Sequence, residues 1–140
     1  MEVYDLDQNV ASQLANISTR SFVQTGDDVA IGGFILGGAD NGPDVIIRAI
    51  GPSLSNLGVS NALSDPTLEL RDGNGMLIAF DDNWQDDPAQ AAQITAAGFA
   101  PQNALETVIA AMLPPGPYTA ITAGKNGTTG VELVEIYNLQ

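Results

Sequence analysis

The apolar residues of this chain come in short runs rich in β-branched side chains, and nearly every run is closed by Gly, Asn, Asp or Pro. A half-buried strand needs such a run and a tight turn needs such a stop, so this grammar commits the chain to an all-β fold and leaves little room for helix. The runs lie at residues 2–6, 15–23, 28–38, 44–52, 67–72, 76–81, 107–113, 118–124 and 131–139. Turn signals roughly every 8–12 residues point to a β-sandwich or jelly roll of eight or nine strands rather than to a parallel α/β sheet.

Several connections carry their own mechanism. Asp72, Gly73, Asn74 and Gly75 separate two apolar runs, where Gly and Asn tolerate the positive φ of a tight turn, so residues 67–81 read as a hairpin. In "LPPGPY" (113–118) three prolines surround Gly116, which predicts a rigid connector outside any central strand. "GKNGTTG" (124–130) supplies a second Asn-Gly turn. Residues 88–98 are Ala-rich, begin with Pro88 after two aspartates and end at Gly98, the pattern of one short surface helix. Residues 53–66 read as a long ordered loop with one helical turn at most, its Leu54, Leu57, Val59 and Leu63 folding over the open end of the sandwich.

At 140 residues and 44% hydrophobic content, the chain has the material for one core. It divides into an N-terminal strand and linker (1–13) and a single sandwich domain (14–140). Cysteine and histidine are both absent, which removes disulfides, thiolate metal sites, the commonest general base and the commonest zinc ligand. Seventeen acids against four bases give a net charge of −13, which repels nucleic acid and anionic membranes. No run is long enough for a membrane-spanning helix, so no membrane insertion is expected. The first residues lack the basic and apolar regions of a signal peptide, so a secreted form would require a leader outside this sequence.

Residues 65–84, with "DPTLELRDGNG" and the acidic loop, and residues 113–137, with "LPPGPY" and "GKNGTTG", together resemble the bacterial pre-peptidase C-terminal domain family. Residues 14–38 and 45–54 resemble repeat modules that occur in tandem in long bacterial surface or secreted proteins. The resemblance implies a β-sandwich accessory module of extracellular or cell-surface location, and it implies no catalytic residue.

Among candidate sites, the acidic loop holds Asp81, Asp82, Asn83, Asp86 and Asp87, enough oxygens to suggest calcium. Its spacing departs from the EF-hand loop, and a solvated acidic turn is the commoner origin of such a cluster. No other cofactor is expected. Trp84, the single tryptophan, is a candidate stacking surface for a glycan, against the plainer expectation of packing. The sequons at 16–18 and 126–128 read as a strand face and a turn. Arg20 and Arg48 fall within strand runs, either facing outward or pairing with a carboxylate. Without histidine only carboxylate pairs remain for catalysis, and twelve aspartates produce such pairs by chance, so the chain reads as a non-enzyme.

The two ends repeat one another. "EVYDLD" begins at residue 2 and "EIYNLQ" at residue 135. Either residues 2–6 are the remnant of a preceding module in a tandem array, or they are a donor strand that fills, in a neighbour, the place suited to its C-terminal twin. In the second case Val3, Tyr4 and Leu6 are the donated contacts, and Ile136, Tyr137 and Leu139 mark the matching strand. Residues 7–13 are then the linker. A strand given and a strand accepted by each subunit is a head-to-tail contact that does not close, so the expectation is a self-assembling, filament-type structural module whose partner is itself. A chain that starts with Met and stops soon after the repeat is what a complete subunit would give, and an engineered fragment would look identical. The alternative is a carbohydrate- or protein-binding appendage of a larger secreted protein.

Overall fold

Eight of the nine runs form strands in the computed structural model, which describes residues 16–37 and 44–139. These are β1 (Asn16–Val23), β2 (Ala30–Leu36), β3 (Asp44–Ile50), β4 (Pro66–Asp72), β5 (Leu77–Asp81), β6 (Thr107–Met112), β7 (Gly116–Gly124) and β8 (Gly130–Asn138). The ninth run, with Val3, Tyr4 and Leu6, lies outside the described residues, as does the rest of the N-terminal segment. A first sheet has the order β1-β8-β3-β6 and a second the order β2-β7-β4-β5, all pairs antiparallel. Every connection except the β4–β5 hairpin changes sheet. The result is a β-sandwich with the strand order of an eight-stranded jelly roll.

Alternation along the strands builds the core. Phe34, Leu36, Val45, Ile47, Leu68, Leu70, Ile109, Tyr118 and Ile136 meet between the sheets, and Val23, Ala30, Leu63 and Val134 close one end. The hairpin turn forms because Asp72 Oδ1 accepts from the amides of Asn74 and Met76 at 2.8 and 2.9 Å, while Gly75 takes a φ of +80°. Gly124 and Gly130 bracket the 124–130 turn for a steric reason. A Cβ on Gly124 would collide with Thr128 O, and one on Gly130 would sit 2.6 Å from Asn61 O.

Helix α2 (Pro88–Ala96) starts where the sequence indicates. Asp87 accepts from the amides of Ala89 and Gln90, Pro88 is the first helical residue, and Gly98 follows the end with a φ of +81°. It is more than a surface decoration, since Ile94 is fully buried with Trp84, Ile46 and Val108 in a small third layer on the outside of the first sheet. The single helical turn of the long loop is α1 (Pro52–Asn56). Leu54 and Leu63 of that loop are buried as expected, but Leu57 is 78% exposed.

One expectation is corrected. Pro117 is inside β7, an inner strand of its sheet, paired with Ile35. It is tolerated because β7 outruns β4: the β4 pairing ends at Asp72–Tyr118, so at Gly116 and Pro117 only β2 is alongside.

Candidate functional site: the open margin and bare face of the second sheet

A jelly roll leaves four strand margins, here β1, β6, β2 and β5. The margin of β6 is blocked by side chains. Asp81 Oδ2 accepts from the Val108 amide at 2.8 Å and Gln90 Oε1, from α2, accepts from the Ala110 amide at 3.0 Å. The Asp81 bond runs from β5 in one sheet to β6 in the other and fastens that side of the sandwich. Burial pushes the Asp81 carboxyl up to about 6, against the Val108 bond, with the Asp82 and Asp86 charges adding to the rise.

The margin of β5 differs. Among the described residues β5 pairs with β4 alone, and Leu77, Ile78 and Phe80 on it are 52%, 43% and 55% exposed, with Met76 just before them at 67%. It carries neither proline nor lysine, and its register slips by one residue opposite Leu70–Arg71. An exposed apolar margin offers unpaired main-chain groups to a further strand, here over the five residues of β5 and across its bulge. The outer face behind it is also bare: Ile31 and Ile35 on β2 are 64% and 75% exposed, and no described element lies over them.

The C-terminal strand is not a margin. Tyr137 pairs with Asn16 on one side and Ile46 on the other, and Ile136 with Ile17 and Ile47. Ile136 is buried in the core, and the Leu139 amide donates to Asp44 O at 2.8 Å. The place suited to the twin segment is therefore filled by the subunit's own β8, and an added strand has to lie along a margin. Glu135 and Tyr137 point outward and hold Arg48. Its Nε donates to Glu135 Oε2 at 2.9 Å, its Nη2 pairs with the same carboxylate, and its guanidinium lies 5.4 Å from the Tyr137 ring and 5.7 Å from that of Phe99. The Tyr137 hydroxyl donates to Glu135 Oε1 at 2.8 Å; burial, then this carboxylate, raise its pKa. Of the two readings for Arg48, the structure thus shows the ion pair, formed within the subunit.

The acidic loop is divided among other tasks. Asp81 bridges the sheets, Asp82 pairs with Lys125 at 2.7 Å, Asp86 accepts from Asn83 Nδ2 at 3.3 Å, and Asp87 caps α2. The hydrogen bond from Lys125 to Asp82 raises the lysine's pKa. Among the described residues no three acids converge as metal ligands would. Trp84 is 8% exposed, its Nε1 donating to Asn103 O at 3.2 Å, so its indole is packing and offers no stacking surface to a glycan. A depression of about 240 Å³ over the first sheet is lined in part by Glu106 and Glu135. Glu106 is committed to the start of α1, accepting from the Ser53 amide and hydroxyl at 2.8 Å each, and Glu135 to Arg48.

Glu132 is the residue that the sequence reading missed. It points between the sheets with no exposed surface, accepts from the Thr122 and Ser21 hydroxyls, and leaves Oε2 without a hydrogen-bond partner among the described residues. Burial pushes its carboxyl up to about 7, opposed by the two hydroxyls. Period-two alternation carried the signal, since Glu132 shares its strand face with Val134 and Ile136.

No family model matches the chain, and no curated protein matches it.

Proposed function

We propose that the chain is a non-catalytic structural module, borne on a bacterial surface or secreted, that associates head to tail by adding residues 2–6 of one copy along β5 of the next. The observation that carries this reading is the β5 margin: an apolar strand with an open side, in a sandwich whose β6 margin is blocked by Asp81 and Gln90. An added strand gains main-chain hydrogen bonds along that side; of its alternating side chains, Tyr4 and Leu6 share one face and gain apolar neighbours in Leu77, Ile78 and Phe80, while Val3 turns to the other face. The lengths agree, since residues 2–6 and β5 are each five residues long. Residues 7–15 extend to at most about 30 Å, enough to leave one body and reach another.

A β-sandwich is the fold class that the resemblance to pre-peptidase C-terminal and tandem surface modules implies. The engagement of Glu106, Glu135 and the loop acids in structural bonds supports a module without catalysis. Deleting residues 1–13 is expected to leave the sandwich folded and to stop growth of assemblies beyond a dimer in light scattering and negative-stain images. If the truncated protein grew as the full chain does, the strand-addition reading would be wrong.

A further inference from the structure

We propose that the outer face of the second sheet is a contact surface for a second copy of this chain, packed face to face about a two-fold axis. The inference does not depend on strand addition. Strand addition takes its hydrogen bonds beside β5, and the face contact centres on Ile31, Ile35, Glu69 and Arg71, so both contacts can form on one molecule.

The first sheet has its outer face covered over β3 and β6 by α2, Trp84 and Phe99. The second has nothing described above it. The pairing register aligns a row across all four of its strands, Ile31–Ile121–Glu69–Phe80, and Ile35 stands two residues along β2 from Ile31. Single exposed apolar residues need no explanation, but a contiguous set on one flat face does.

Charge identifies the occupant. The chain carries −13, yet the outward positions of these four strands hold one acid, Glu69, and one base, Arg71. An oppositely charged partner finds no net charge to meet here. A second copy brings an equally neutral face, so two strongly acidic chains approach there with one acid and one base on each side. Glu69 and Arg71 are also self-complementary. Arg71 Nε and Nη2 donate to Glu69 Oε2 at 2.9 and 2.6 Å, with both side chains about a third exposed, so a two-fold axis near them lets each arginine share the other copy's carboxylate. Four strands about 4.8 Å apart and some seven residues at about 3.3 Å give a footprint of roughly 19 by 23 Å. That is roughly 440 Å² per copy, below the size of a standard stable interface, so the dimer is a weak, reversible one.

Sedimentation velocity on the full chain across a concentration series tests this. The full chain should sediment as dimers and multiples of them, and the same chain without residues 1–13 as a reversible monomer–dimer equilibrium. Ile31→Asp with Ile35→Asp, at positions too exposed to disturb the fold, should weaken it at least about tenfold. Arg71→Glu should weaken it too, and Glu69→Arg added to Arg71→Glu should restore it. Dimerisation unaffected by the isoleucine changes, or no dimer at any concentration, would overturn the proposal. A monomeric full chain alongside a dimeric chain lacking residues 1–13 would also overturn it, by showing that the N-terminal segment occupies the face.

Discussion

Glu132 occupies a position that alternation reserves for a hydrophobe, and its carboxyl titrates near 7 instead of near 4.5. An acid whose pKa is higher folded than unfolded binds more protons in the native state between those two values. Its charge therefore costs stability that begins to be lost above pH 4.5 and is fully lost by the time pH passes 7, about 3 kcal/mol at most. Glu132→Gln, which mimics the neutral acid, should raise the melting temperature at pH 8, leave it nearly unchanged at pH 4, and flatten the profile between. Arg48 is the converse case, a charge whose partner was legible only in kind. Two strand-borne residues 87 positions apart become neighbours through β3–β8 pairing, and no local pattern encodes that register. Arg48→Ala leaves the buried Glu135 carboxylate without its cation and should cost about 3 kcal/mol in urea unfolding, with Arg48→Lys losing less.

Among the elements, those closed by local chemistry were the ones readable from sequence. The β4–β5 hairpin needs only Asp72 and Gly75, and α2 needs only Asp87, Pro88 and Gly98. Asp87→Ala should lower stability by about 1 kcal/mol through the lost cap. The start of β7 was misjudged, because whether a strand tolerates Pro117 depends on how far its neighbour β4 extends. Trp84 was ambiguous for a similar reason, as its burial requires α2 to fold back over the first sheet. The blocking of β6 by Asp81 and Gln90 has no sequence signature at all, and it leaves β5 as the open margin on that side of the sandwich. Ile78→Lys, a charge placed on that open margin, should suppress assembly while changing stability by less than about 0.5 kcal/mol.

At the scale of the whole molecule, alternation and turn spacing sufficed for an all-β sandwich, while the jelly-roll strand order emerged only from the long-range pairings. The charge of −13 sets the conditions for association. Copies repel at low ionic strength, so assembly should grow as added salt shortens the screening length to about 10 Å or less, read as rising scattered intensity between 0.01 and about 0.15 M salt. The central claim is that residues 2–6 of one copy lie along β5 of another, and the absence of cysteine from the chain permits a direct measurement. Two singly substituted proteins, Tyr4→Cys and Ile78→Cys, are mixed, oxidised and run on a non-reducing gel, with Ser55→Cys on the exposed side of α1 replacing Ile78→Cys as the control. The account predicts a mixed disulfide dimer from Tyr4→Cys with Ile78→Cys and none with Ser55→Cys. Equal cross-linking of both pairs, or none of either, would contradict it.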